Sequence, residues 1–371
     1  MSTERLLDTF IDLARIDSPS GREAGVGAYC ASVLRDLGFS VRFDESQERT
    51  GADTGNLIGL LEGRASSAVL VLSAHMDCVQ PCEGVDPVVE EGLVTSAGET
   101  VLGADDKAGI AVILEACRRL VASDGTRPGL RVVLTVSEEI GLKGAKALDA
   151  HEVHGDLCLV LDADGGPGGI VVAAPTQYTF VANFLGVAAH AGVSPEHGRS
   201  ALVMASKAVA AMRLGRLDEE STANIGTVNG GTATNVVPAS AEMTGECRSL
   251  DSARVEDIRE SMDAVMRDAA RSEGGSVQIG WTKEYEGYRF AEDDPLLSLL
   301  ASASEEVGLK PRTFRTGGGS DANIMSALGV PALALSSGMR DVHSTFESVH
   351  VNDMEALTRL VVKVAARLAE E

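Results

Sequence analysis

The sequence predicts an α/β fold, a three-layer α/β/α domain interrupted by a smaller inserted α+β domain. Three observations predict it. In the first half, continuous Val, Leu and Ile runs alternate with amphipathic helical spacing, the pattern of a mixed or parallel sheet covered on both faces. Near Pro175 the texture changes to period-two alternation with long helices around it, and after about Phe290 the first texture returns. The expected boundaries are residues 1–177 and 291–371 for the larger domain and 178–290 for the insertion, which has an ordinary domain's size.

The elements follow in order. "ERLLDTFIDLARI" and "GVGAYCASVLRDLG" read as opening helices, then "GNLIGLLEG", "SAVLVLSAHMD", "GLRVVLTVSEE" and "DLCLVLDAD" as strands, with the helix "DDKAGIAVILEACRRLVAS" between the second and third. In the insertion, "YTFVANFLGVAAHAG" and "SAEMTGECRSL" alternate like antiparallel strands, beside the helices "SALVMASKAVAAMRLG" and "DSARVEDIRESMDAVMRDAARSEG". The closing segment supplies the helix "PLLSLLASASEEVG", the Gly-rich turn "RTGGGSDAN", the strand "GVPALALSSG" and a final helix.

Composition narrows the function. With 371 residues, 44% hydrophobic and 23% charged, the chain is long enough for two domains. A net charge of -23 opposes binding to nucleic acid or to an anionic membrane. The first residues, "MSTERLLDTFIDLARIDS", have helical spacing and early charges where a secretion signal would carry a continuous apolar stretch, and no run reaches the roughly 18 apolar residues of a membrane span. Six scattered cysteines suit reduced thiols, so the expected compartment is the cytoplasm.

In open α/β sheets, sites form at the carboxyl ends of strands. Here one strand ends in His75 and Asp77, a helix begins at Asp105 and Asp106, another strand ends in Glu138 and Glu139, "LVLDADGG" delivers Asp162 and Asp164, and a late loop adds His343. Alone, each has an ordinary reading: Asp105 as a helix cap, Glu138 and Glu139 as loop charges, His343 as a core histidine. Together they make one shared site the simpler account. So many carboxylates on one edge repel one another unless divalent cations sit among them, and imidazole with carboxylate suits zinc, with cobalt or manganese as substitutes. Two cations need a bridging carboxylate, for which Asp105 is well placed. "HEVHG" is one residue too short for the helical zinc motif H-E-x-x-H, and "DADGGPGG" has no bidentate glutamate at the position a calcium loop requires.

"SAHMD", "LGADDKAG", "VSEEIGLKGAKAL", "LVLDADGG", "AAHAGVSPEHGRSAL", "NVVPASAEMTGECRSLD", "GGGSDAN" and "HSTFESVHV" resemble, in order and spacing, the zinc exopeptidase superfamily of aminoacylase, carboxypeptidase G and peptidase T, and most closely its peptidase T-like branch. The resemblance covers nearly the whole chain. It implies a catalytic domain holding two metal ions, with His75, Asp105, Glu139, Asp162 and His343 as ligands and Asp105 bridging. It further implies that Asp77 orients the His75 ring and that Glu138 is the general base. The insertion would be a lid that also forms a homodimer, with His190 stabilising the oxyanion, often across the subunit boundary. Asn235 and Arg248 would hold the substrate's backbone or carboxylate, while Arg248 taken alone also reads as a surface ion pair. The sequence departs from peptidase T at one point: Gly317 stands where that branch has an arginine, with Arg315 two residues earlier, so Gly318, Gly319 and Ser320 are expected to offer backbone and hydroxyl groups instead.

The expected activity is hydrolysis of the N-terminal bond of short peptides. An N-acyl amino acid amidohydrolase shares the same metals and base, and a non-catalytic metal-binding regulator is the alternative of another class. A regulator has no use for Glu138 beside the ligand Glu139.

Overall fold

The computed structural model describes residues 2–370. The chain divides into two compact units: a larger one running through Val172 and including Phe290–Arg315 and the residues from Ser320 onward, and a smaller one of Ala173–Arg289 with Thr316–Gly319. The division falls five residues before the sequence boundary at 177/178 and one before that at 290/291, and it assigns the glycine turn to the smaller unit.

The larger unit is built on a sheet whose central strands are parallel. Val69–His75 lies between Gly129–Thr135 and Leu157–Ala163, and Ala332–Ser336 follows, parallel to Leu157–Ala163. Apart from half-buried Val69 at a strand start, their Val and Leu side chains are buried on both faces, which is why these runs do not alternate. On one flank Leu57–Leu61 joins antiparallel to Gly129–Thr135 and carries the edge strand Ser40–Phe43. On the other, Gly169–Ala174 runs antiparallel to Ala332–Ser336. The helix Ala104–Ala122 is buried over most of its length, and helices Ser2–Ala14 and Val351–Leu368 pack against it. Among the described residues no helix is long and apolar enough to cross a membrane, and all six cysteines are free and buried.

A three-stranded sheet of Pro87–Glu90, Leu93–Ser96 and Ser348–His350 was not legible in the sequence. Its strands have only three or four residues, too short to show a period.

The smaller unit is an antiparallel sheet ordered Gly215–Arg216, Ser221–Gly230, Ser240–Ser249, Thr176–Leu185, Ser276–Tyr285. Helices Ala201–Ala211 and Ser252–Ser272 cover one face. Phe180, Ala182 and Phe184 point into that core while Val181 and Leu185 are exposed, the period-two signature read from the sequence. The first strand is shorter than "YTFVANFLGVAAHAG" suggests. It stops at Leu185: Gly186 still donates to the Ala239 carbonyl at 2.8 Å, and Val187 then exchanges hydrogen bonds with Arg199, which lies so close that a side chain on Gly186 would be 1.9 Å from its carbonyl oxygen.

Candidate metal centre

His75 ends a strand buried between two others and sits level with Thr135 of its neighbour. Its Nδ1 meets the carbonyl oxygen of Asp77 at 3.0 Å, which fixes the ring proton on Nδ1 and leaves the Nε2 lone pair for a cation. The Asp77 carboxylate, expected to receive that proton, is farther away at 3.5 Å. It is committed elsewhere, accepting the Ser20 hydroxyl at 2.6 Å and the backbone N–H groups of Glu138 and Glu139 at 3.0 and 3.2 Å. Asp77 thus orients His75 mainly through its backbone, and uses its carboxylate to hold the turn that carries the two glutamates.

Asp105 is not a helix cap. Its φ/ψ of -83°/104° is extended, the Asp105–Asp106 peptide is cis, and the helix proper starts after them. The buried Glu347 carboxylate pins this entry by accepting the N–H groups of Gly103 and Asp105 at 2.7 and 2.8 Å. As a result the two Asp105 oxygens face different neighbours. Oδ1 lies 3.1 Å from Nε2 of His75, and that nitrogen is 3.7 Å from Oδ1 of Asp162. Oδ2 lies 3.2 Å from Nε2 of His343, which also meets Oε2 of Glu139 at 3.1 Å. His343 is held at φ +61°, in the left-handed region that a non-glycine residue adopts at a cost. Two clusters therefore share Asp105: His75 with Asp162, and His343 with Glu139.

Asp106 also lies close, its donor atom within 4.8 Å of those of His75 and Asp162. Its oxygens, however, accept the N–H groups of His75 and Gly109 at 3.3 and 3.2 Å, so it anchors the helix start beneath the site. Asp164 is exposed, as are His151 and His154 of "HEVHG".

The electrostatics call for positive charge. Burial pushes the Asp162 carboxyl up to about 7, opposed by His75 and reinforced by the charges of Asp105 and Asp321. Burial also holds Glu138 well above the usual carboxylate range, with Asp162, Asp321 and Glu139 adding to the effect and His75 opposing it. Burial works against protonated His75, yet its bonds to Asp105, Asp162 and Asp77 raise it well above 6.5. Bonds to Asp105 and Glu139 lift His343 to about 10. Asp105 itself is pulled down, since the two histidines outweigh its burial. Acids that favour their protonated form beside histidines that favour their cationic form describe a site short of cations. The buried Oε1 of Glu139, which has no hydrogen-bond partner, is a donor atom ready for one. His75, Asp105 and Glu139 also bring their donor atoms within 4.8 Å of one another, so the residues fit divalent ions.

Several supporting residues were not foreseen. Glu23, fully buried, accepts the N–H groups of Gly21 and Ser137 and the Ser137 hydroxyl. It thereby braces Ser137, at φ +54°, directly before Glu138. Thr135 donates to Oδ2 of Asp321 at 2.5 Å. The sequence signals were present: a serine and a glutamate in the loop "DSPSGRE", and the carboxylates inside "GGGSDAN" and "HSTFESVHV".

The remaining expected residues belong to the smaller unit. His190 and Asn235 are exposed and come together, because Ala191 N–H donates to the Asn235 carbonyl at 2.9 Å and His190 bridges to Val236. His190 lies in a loop five residues beyond the strand end, not at it. Its Nδ1 accepts the N–H of Gly192 at 3.1 Å, which leaves Nε2 as the protonated, donating nitrogen. Arg248 is paired with Glu246 and lies 3.3 Å from the Gly317 carbonyl. Gly318 donates to the Thr316 hydroxyl, and a side chain on Gly319 would lie 2.2 Å from the Tyr285 ring.

Residues 71–367 match the profile of peptidase family M20/M25/M40. The chain belongs to this family. An uncharacterised protein of Bacillus subtilis, YqjE, is 38% identical to it over the full length of both chains. The crystal structure of aminopeptidase PepT from Bacillus cereus superposes with a TM-score of 0.92 at 38% identity, covering 99% of each chain. That of a tripeptidase from Staphylococcus aureus superposes with a TM-score of 0.94 at 33% identity, covering 100% of this chain and 99% of that one. Carboxypeptidase G2 from Pseudomonas is 27% identical over 98% of this chain and 88% of its own. The protein is thus a peptide-bond hydrolase of the M20 family, whose chemistry depends on metal.

Proposed function

We propose that this M20 peptidase is a dinuclear zinc aminopeptidase that removes the N-terminal residue of short peptides in the cytoplasm. The observation that carries the reading is Asp105, whose two oxygens face separate His/carboxylate clusters. One ion would be held by His75, Asp105 and Asp162, and the other by His343, Asp105 and Glu139. When bound, the metals supply Lewis-acid polarisation of the scissile carbonyl and acidify water.

In this reading the rest belongs to the chain. Glu138 takes a proton from the attacking water at its carboxylate and returns it to the leaving amine. Asp77 holds the backbone of Glu138 and Glu139 in register with His75. His190 offers Nε2–H to the developing oxyanion. Asn235, Arg248, Gly318 and Gly319 line the substrate side, supported by the contacts among Arg248, Gly317 and Tyr285. Exposed Val187, Val193, Leu202 and Val203 on the smaller unit support the homodimer.

The test combines metal analysis with Glu138→Gln. Two zinc ions per chain are expected in both proteins, with kcat on a free-amine tripeptide lowered about 10²–10⁴-fold in the variant. Unchanged turnover, or full activity of the metal-free protein, would sink the proposal. A parallel panel of N-acetyl and N-carbamoyl amino acids separates the amidohydrolase reading, because an aminopeptidase needs the free α-amine.

A further inference from the structure

Arg248 is not a free cation. Glu246, two residues earlier on the strand Ser240–Ser249, shares its face of the sheet. Oε1 of Glu246 accepts Nε–H of Arg248 at 3.1 Å and Oε2 accepts from Nη2 at 2.9 Å, so the carboxylate occupies one whole edge of the guanidinium. Nη1 donates to the Tyr285 hydroxyl at 3.4 Å and to the Gly317 carbonyl at 3.3 Å. Four of the five N–H donors are therefore engaged, and no edge remains for the bidentate grip on a carboxylate that makes arginine selective.

The surroundings point the same way. Gln177 also donates to Oε2 of Glu246, which holds that carboxylate in place. Gly317 carries no side chain that could bring a second cation to this turn, and Gly319 is pressed flat on Tyr285. An incoming carboxylate would meet a neutralised guanidinium with the Glu246 charge beside it, a like-charge juxtaposition that selects against anions. A backbone carbonyl, uncharged and needing a single donor, meets no such penalty.

We propose that Glu246 sets substrate specificity by cancelling the charge of Arg248, so that the enzyme accepts peptides whose chain continues or is blocked at that point and does not require a free C-terminal carboxylate. The inference rests on the aminopeptidase reading and on Arg248 facing the substrate. Trialanine and trialanine amide are compared as substrates of the metal-loaded protein. The wild type hydrolyses both, with kcat/KM for acid and amide within about tenfold of each other. Glu246→Gln restores the positive charge and raises the acid-to-amide ratio at least about tenfold, through a lower KM for the acid with kcat nearly unchanged. A wild-type preference for the acid above about tenfold, or a ratio that Glu246→Gln leaves in place, overturns the inference while leaving the peptidase reading intact. If the variant does not fold, the wild-type ratio decides alone. Hydrolysis of neither peptide overturns the aminopeptidase reading and this inference with it.

Discussion

Asp162→Asn should make the metal-free protein more stable and the metal-loaded protein less so. In the folded chain the Asp162 carboxyl is raised from 3.8 to about 7, by burial first and then by the charges of Asp105 and Asp321. The folded state therefore binds the Asp162 proton more tightly than the unfolded state does, and stability falls as pH climbs from about 4 to about 7 and levels off above. At 1.36 kcal/mol per pH unit, the raised carboxyl costs about 4 kcal/mol at pH 8, where it is ionised, and about 1.5 kcal/mol at pH 5, where the folded state still holds the proton that the unfolded chain has released. An asparagine carries no titrating charge, so up to these amounts, which already include the attraction to His75, should return to the metal-free variant. With metal the order reverses. At a thousandfold excess over the dissociation constant a bound ion adds about 4 kcal/mol to the native state, and the variant has lost one of the proposed ligands. The assay is urea unfolding of chelator-treated and zinc-loaded proteins at pH 5 and pH 8. The reasoning would be refuted if the metal-free variant were no more stable than the wild type at pH 8, or if its gain were the same at both pH values.

Two further expectations concern the scaffold. Glu115, with no exposed side-chain area, accepts three hydrogen bonds from Arg5 and Arg119. Those bonds outweigh its burial and hold its carboxyl below 4.5. Glu115→Ala should cost about 3 kcal/mol in urea unfolding at pH 7. Because the carboxyl is depressed, the stabilisation is full above pH 4.5 and fades as pH falls through the folded value, so the gap from wild type should close in acid; a gap that persists there counts against the ion pair. Glu23→Ala strands the buried N–H of Ser137 next to the proposed base. It should lower stability by about 2–4 kcal/mol and kcat more than KM, with Glu23→Gln recovering most of both. Steady-state kinetics beside thermal melts would separate the effects, and an unchanged kcat would show that Ser137 holds its place without Glu23.

The parts of the site that the sequence made legible are those delivered by regular elements. His75, Asp162, Glu138 and Glu139 follow apolar runs whose ends a strand reading locates, and the sheet's parallel order brings those ends to one edge. What stayed hidden depends on segments that approach only in three dimensions. Ser20 reaches Asp77 across 57 residues, and Glu347 reaches Asp105 across 242, by contacts that no local period encodes. The Arg248–Glu246 pair is a different kind of omission, because it was readable. Residues two apart on a strand share a face, and the alternation that buries Met243 and Cys247 puts Glu246 and Arg248 together on the opposite side. The strand count alone gives the ion-pair reading of Arg248 its partner, Glu246. The same count that explains the core of the smaller unit therefore also governs its chemistry: a charged residue on a strand has to be read with the residues two before and two after it before its charge is assigned to a ligand.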